Sequence, residues 1–287
     1  MSAANKSGEF EFIEGLTAEL SSKNLIFPTS LNATMRIRRA LNEPDASVSQ
    51  IARIIGTEPV LSAQVLRVSN SAAFGNSARK AVADLHTAII HLGFAMVRNV
   101  TISVGMKQLT QGKSAPALQP IIEGLWRRSL RVASLSYVIA KRMARINPDS
   151  AMLVGLFHDV GKFYILNRAR DYAGLFDDQG SLWDVVDHWH ANIGQAILES
   201  WEIPEEISVA VRDRLDSERV RTGPPDLTDI LIAADFLDAH FFASPDTDLD
   251  DAKLPQALIR LKLTAESGKE LMHAGKEELE QIFQAIR

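Results

Sequence analysis

In almost every segment of this chain the apolar residues recur three and four positions apart, and hardly anywhere do they alternate as a strand requires. That spacing puts apolar side chains along one stripe of a helix, so the chain is expected to fold as an all-α protein. Its 287 residues bound the answer to one large or two modest domains. Hydrophobic residues make up 46% and charged residues 23%, enough apolar material for a sizeable core.

Helix boundaries are legible in several places. Ser47-Val48-Ser49-Gln50 reads as a capping box opening a short helix through Ile51, Ile54 and Ile55, which Gly56 stops. Thr57 is expected to cap the next helix, with Val60, Leu61, Val65 and Val68 apolar. That helix should end near Asn70, a residue tolerant of the left-handed conformation. Residues 111–120, QGKSAPALQP, are small, polar and twice interrupted by proline, and form the best internal boundary. An amphipathic helix from about Ile121 to Arg145 follows. Asn147-Pro148 then starts a helix expected to carry GLFHDVGK, 155–162. Further helices are expected over 181–200, 205–215, 227–241 and 253–285. The acidic run ASPDTDLDD, 243–251, reads as a solvated loop.

Charge and composition exclude some functions. The net charge is −5 and the pI about 5.8, which argues against a general nucleic-acid binder. Arg36, Arg38 and Arg39 lie on one amphipathic helix and read as a solvated basic face. There are no cysteines, so disulfides and thiolate zinc sites are excluded. The opening residues MSAANKSGEFEF lack the apolar stretch of a signal peptide. Ala88 to Met106 is the most apolar helical candidate, but it contains His91, Arg98 and Asn99 and reads as a core helix. A cytoplasmic protein with no membrane partner is expected.

The centre of GLFHDVGK is His158-Asp159, two metal-ligating residue types in succession. On one helix they would point about 100° apart and could grip a single ion. Two ligands do not make a firm site, and on the dipeptide alone a His and Asp hydrogen-bonded inside a bundle are the preferred reading. Of His188 and His190, about 200° apart on a helix, His190 is expected to face inward and His188 outward. His86, His91, His240 and His273 have no partner pattern. Lys162 reads equally as a phosphate-facing group and as a surface lysine.

The surroundings resemble the HD superfamily of metal-dependent phosphohydrolases and, over about residues 20–240, the HDOD family of bacterial signalling proteins related to HD-GYP phosphodiesterases. TEPVLSAQVLRVSNSAAFG (57–75), AIIHLG (88–93), LWRRSLRVA (125–133), HANIGQAILESWEIP (190–204) and ADFL (234–237) carry the likeness. It implies a multi-helical HD-like bundle with an added N-terminal helical lobe. The implied division is an extension over 1–19, the lobe over 20–115, the HD-like core over 116–242 and a C-terminal extension over 243–287. Asn70-Ser71-Ala72, part of that likeness, reads as a helix cap that permits close packing, with a docking surface for a partner domain or nucleotide as the alternative.

The resemblance places metal ligands at His158, Asp159, His190 and Asp235, but puts Arg128, Arg214 and Leu215 where relatives carry further ligands. A guanidinium has no lone pair for a metal and repels one, yet it can neutralise Asp159 or Asp235 itself. A two-metal hydrolase is therefore not expected. Two functions stay open. One is a non-catalytic, free-standing signalling module working through protein partners or a bound ligand. A nucleotide or other phosphorylated molecule could be held by Arg128, Lys162 and Arg214. The other is a one-metal phosphohydrolase of nucleotides or cyclic dinucleotides, with Asp159 and Lys162 as catalytic groups. No cofactor is expected beyond, at most, one divalent ion such as manganese, iron, zinc or magnesium. Oligomeric state is left open.

Overall fold

The computed structural model describes residues 3–22, 29–74, 81–110, 118–143, 145–169, 179–216, 219, 221–243, 250–251 and 254–286. Every long element among them is a helix. In chain order these are α1 (Ala3–Ser21), α2 (Thr29–Asn42), α3 (Val48–Gly56), α4 (Pro59–Ser69), α5 (Leu85–Thr110), α6 (Gln119–Met143), α7 (Pro148–Phe157), α8 (Val160–Ala169), α9 (Gln179–Ser200), α10 (Glu205–Asp213), α11 (Leu227–Ala243), α12 (Gln256–Arg260) and α13 (Ala265–Ile286). A short 3₁₀ turn spans Ala72–Phe74. Most of the proposed 111–120 boundary and of the acidic run lies outside the described residues, as does the side chain of His273.

Helices α2, α3 and α4 pack on α5, which forms the centre of the N-terminal lobe. In the second lobe α6 lies against α7 and α11, α8 against α9, and α9 against α10. Helix α5 also meets α6, α7 and α8, and one apolar core runs through both lobes. By length and composition Leu85–Gln108 could cross a membrane. However, 56% of its most apolar window is buried, and these contacts make it a core helix. Gly93 kinks it at φ 75°, a conformation that suits glycine.

Several boundaries differ from expectation. Ser47 caps α3, accepting from the Gln50 N–H at 3.2 Å. Thr57 instead ends α3, its hydroxyl returning to the Ile54 carbonyl, and Pro59 opens α4 behind Glu58. Asn70 is right-handed (φ −91°); its amide brackets the backbone N–H and carbonyl of Val82. The expected helix 253–285 is two helices. The Leu263 N–H reaches the Leu258 carbonyl and the Lys262 N–H the Ile259 carbonyl, with Lys262 left-handed at φ 59°. This is a Schellman ending without glycine. Thr264 and Ser267 then cap α13 reciprocally.

The same ending closes α9. The Ile203 N–H bonds to the Leu198 carbonyl and Glu202 is left-handed at φ 56°. Arg38 of α2 donates to the carbonyls of Trp201 and Glu202 there, and it is only 2% exposed. The expected solvated basic face is thus corrected: Arg36 and Arg39 are exposed, whereas Arg38 ties the N-terminal lobe to the α9–α10 turn.

Candidate functional site

The helix expected to carry GLFHDVGK breaks within the motif. Helix α7 ends at Phe157, α8 begins at Val160, and His158-Asp159 form the junction. His158 Nδ1 lies 2.7 Å from the Gly155 carbonyl, an acceptor that a continuing helix would give to residue 159. Both motif glycines permit close backbone approach. A Cβ at Gly155 would stand 2.5 Å from Ala133 Cα of α6, and one at Gly161 would stand 1.9 Å from the His190 carbonyl oxygen of α9. The glycines therefore set the α6–α7 and α8–α9 crossings that bring the site together.

Six helices contribute to that site. Helix α6 supplies Arg128 and Arg131, the α7–α8 junction His158 and Asp159, α8 Lys162, and α9 His190. Arg214 follows α10, and α11 supplies Asp235 and Asp238. His158, Asp159, His190 and Arg214 are buried; Arg128, Lys162 and Asp235 are partly so.

Asp159 is the hub. Arg214 Nη2 donates to its Oδ1 at 2.6 Å, and Lys162 Nζ stands 3.1 Å from the same oxygen. Arg128 Nη1 donates to Oδ2 at 3.2 Å. Arg128 also donates through Nη2 to Asp235 Oδ1 at 2.6 Å, and its Nη1 lies 3.1 Å from His158 Nε2. Arg214 Nη1 lies 3.4 Å from His190 Nε2, whose ring partner Nδ1 is 2.7 Å from the Val186 carbonyl. Each imidazole thus sets its Nδ1 against a backbone carbonyl and its Nε2 beside a guanidinium. Asp238 accepts two bonds from Arg131 at 2.6 and 3.1 Å and lies 3.6 Å from Arg128 Nε.

The ionisation states follow from these neighbours. Burial opposes charge on Asp159, but His158, Arg214 and Lys162 outweigh it and hold the carboxyl well below its usual range. Burial, then Arg214 and Lys162, push His190 down to about 4. Burial works against the charge of Arg128, yet Asp235, Asp159 and Asp238 together raise its pKa.

The structure brings together Arg128, His158, Asp159, Lys162, His190, Arg214 and Asp235. It does not bring Leu215, which is 55% exposed, and His188 is also exposed. Asp238 and Arg131 were not singled out in the sequence, although a signal existed. Arg128 and Arg131 are three apart on α6, Asp235 and Asp238 three apart on α11, and the two ladders pair.

This arrangement does not fit a divalent ion. His158 Nε2, His190 Nε2, both oxygens of Asp159 and Oδ1 of Asp235 each already face a cationic nitrogen at 2.6 to 3.4 Å. Among the described residues no three His, Asp or Glu side chains form a set able to hold a metal.

A helical bundle in which a His-Asp junction meets a histidine of α9 and an aspartate of α11 is an HD-type domain. The HDOD domain model matches residues 27–216, more than half of the chain. The protein belongs to the HDOD family. Its fold is shared by a Shewanella amazonensis protein provisionally named a metal-dependent phosphohydrolase, with TM-score 0.75, 24% identity, and coverage of 98% of this chain and 100% of that one. An HDOD domain protein of Geobacter sulfurreducens matches with TM-score 0.66 and 22% identity, covering 95% and 96%. A Marinobacter aquaeolei protein provisionally named for signal transduction matches with TM-score 0.59 and 17% identity, covering 98% and 66%. At these identities the likeness is one of fold. An uncharacterized Treponema pallidum protein is 24% identical over 211 residues, 69% of this chain and 39% of that protein. The chain therefore spans about two fifths of the length of this curated relative.

Proposed function

We propose that the protein is a non-catalytic signal-transduction module of the cytoplasm, acting through protein partners or a bound ligand. One observation carries this reading: guanidinium groups hold the lone pairs that a hydrolytic metal centre needs. Metal-assisted hydrolysis requires an ion with an open position for water. Here Arg128 and Arg214 meet His158, His190, Asp159 and Asp235 directly. Asp159 is unsuited to act as a general base, because its neighbours keep it strongly ionised and so weakly basic. Lys162 spends its charge on the same carboxylate. The family and the name of the Marinobacter protein agree with a signalling role.

The test is metal content together with hydrolysis. Wild type and His158→Ala, purified without chelator or His tag, should both be metal-free by elemental analysis. Both should leave bis(p-nitrophenyl) phosphate intact with added manganese, iron or zinc. Near-stoichiometric metal that disappears in His158→Ala, with metal-dependent turnover in wild type, would establish the phosphohydrolase reading instead.

A further inference from the structure

We propose that the cavity between α6 and α13 is a binding site for a small, neutral, largely apolar molecule. Helix α13 lies along α6 and reaches α4 with its last turn. Between α6 and α13 it leaves a space of about 280 Å³, partly open to solvent. The apolar walls are Leu135 of α6 and Met272, Leu279 and Phe283 of α13. Ser134, small and 1% exposed, lines it from α6 as well. Protein interiors leave few voids larger than a water molecule. An apolar cavity of about 150 Å³ already holds benzene; scaled by volume, this one admits a guest of about ten non-hydrogen atoms.

The lining sets the class of guest. Ser134 Oγ donates to the Leu130 carbonyl at 2.9 Å. Arg131 donates to both oxygens of Asp238, at 2.6 and 3.1 Å. Glu280, exposed to solvent, accepts from Gln284 at 2.6 Å. The polar groups of the lining are thus bonded within the protein, and the rest of the wall is hydrocarbon, thioether and one aromatic ring. Such a wall holds an apolar guest better than water. An anion would face Glu280 and could gain Arg131 only by competing with Asp238. A cation would be repelled by Arg131. Met272 can adapt its shape, and its sulfur favours contact with an aromatic ring. A partner helix does not fit here, because α13 already covers this face of α6. Arg131 also joins the cavity to the His-Asp cluster, since its partner Asp238 lies 3.6 Å from Arg128 Nε. The inference gives the signalling reading a class of ligand but does not depend on it. Metal and turnover in wild type would overturn that reading and leave this one standing.

The experiment uses the full chain and 2-naphthol, a neutral aromatic of the right size. Equilibrium dialysis should find about one molecule bound per chain, with a Kd of about 10–100 μM. At tenfold that concentration the melting temperature should rise by about 2–4 °C. Isotope-labelled methionine methyl NMR, with the Met272 signal assigned by Met272→Leu, should show that signal moving on binding. Ser134→Phe, which fills the floor of the cavity, should weaken binding at least tenfold while its helical circular dichroism is kept. Absence of saturable binding overturns the proposal. So does binding that moves the signals of Met96, Met106 or Met152 and leaves that of Met272 in place, or undiminished binding by a folded Ser134→Phe. If Ser134→Phe does not fold, the Met272 signal of the wild type decides alone. Tighter binding of 2-naphthoate than of 2-naphthol overturns the neutral class.

Discussion

Asp159 is buried and ionised, and three cationic side chains share its two oxygens. Taking one away leaves buried charge poorly matched. Arg214→Met should therefore cost about 3–5 kcal/mol, read from urea unfolding, because breaking a buried pair exposes the desolvation penalty of the remaining charge. His190 gives the pH dependence. Its folded pKa is about 4, below the ordinary 6.5. Between these values the unfolded chain binds the extra proton, so stability rises with pH. The contribution of His190 is full above about pH 6.5 and is lost as pH falls toward 4. At about 1.4 kcal/mol per pKa unit the loss is up to about 3 kcal/mol. Melts at pH 7.5, 6 and 5 should show the decline, and His190→Gln should flatten it. Asp159 acts in the same direction, but only at more acid pH, below the ordinary carboxylate range.

At the scale of elements, crossings decide where these side chains meet. Gly161 lets α8 lie backbone to backbone on α9 at His190. Gly161→Ala should cost at least about 3 kcal/mol, at the upper end of overpacking penalties, since the opposing atom is a backbone oxygen that cannot turn aside. Gly124 is the control. A Cβ there meets nothing within 4 Å, so Gly124→Ala in the interior of α6 should stabilise by up to about 1 kcal/mol. Thermal melts of the pair check both signs. The ending at Lys262, inside the expected helix 253–285, carries no glycine to mark it, and the one at Glu202 closes α9 at its expected end in the same way: a charged residue occupies the left-handed position where glycine is the usual sign. The end of α13 is also held, as the Ala285 carbonyl accepts from Gln64 and Arg67 of α4. Helix α13 also touches the Ala72–Phe74 turn. The Asn70–Ala72 segment thus lies beside a helix of its own chain.

Over the whole molecule, the lobes share a core and a clamp. The apolar cluster runs from Phe12 to Ile282 through both lobes, and Arg38 of α2 holds the Trp201 and Glu202 carbonyls in the turn after α9. Calorimetry should therefore record one cooperative transition; two separated transitions would show that the lobes unfold independently. Arg38→Met should lower stability by about 1–3 kcal/mol by leaving a buried acceptor unpaired.

The sequence by itself determined the helical class, most helix starts and the residues that meet around His158-Asp159, because periodicity, caps and motif spacing are local signals. It also showed that arginines stand where ligands would, since residue type is read directly. Only the tertiary structure decided that Arg128 and Arg214 point into the site, that Leu215 does not, and that Asp238 and Arg38 matter. Arg38 sits among exposed arginines on α2 with nothing local to distinguish it. Its partners lie more than 160 positions away, and burial against them follows from how helices cross. The break at His158-Asp159 is of the same kind: the segment is helical in periodicity on both sides. It turns where the His158 side chain takes the Gly155 carbonyl and the tight contacts of Gly155 and Gly161 fix two separate crossings.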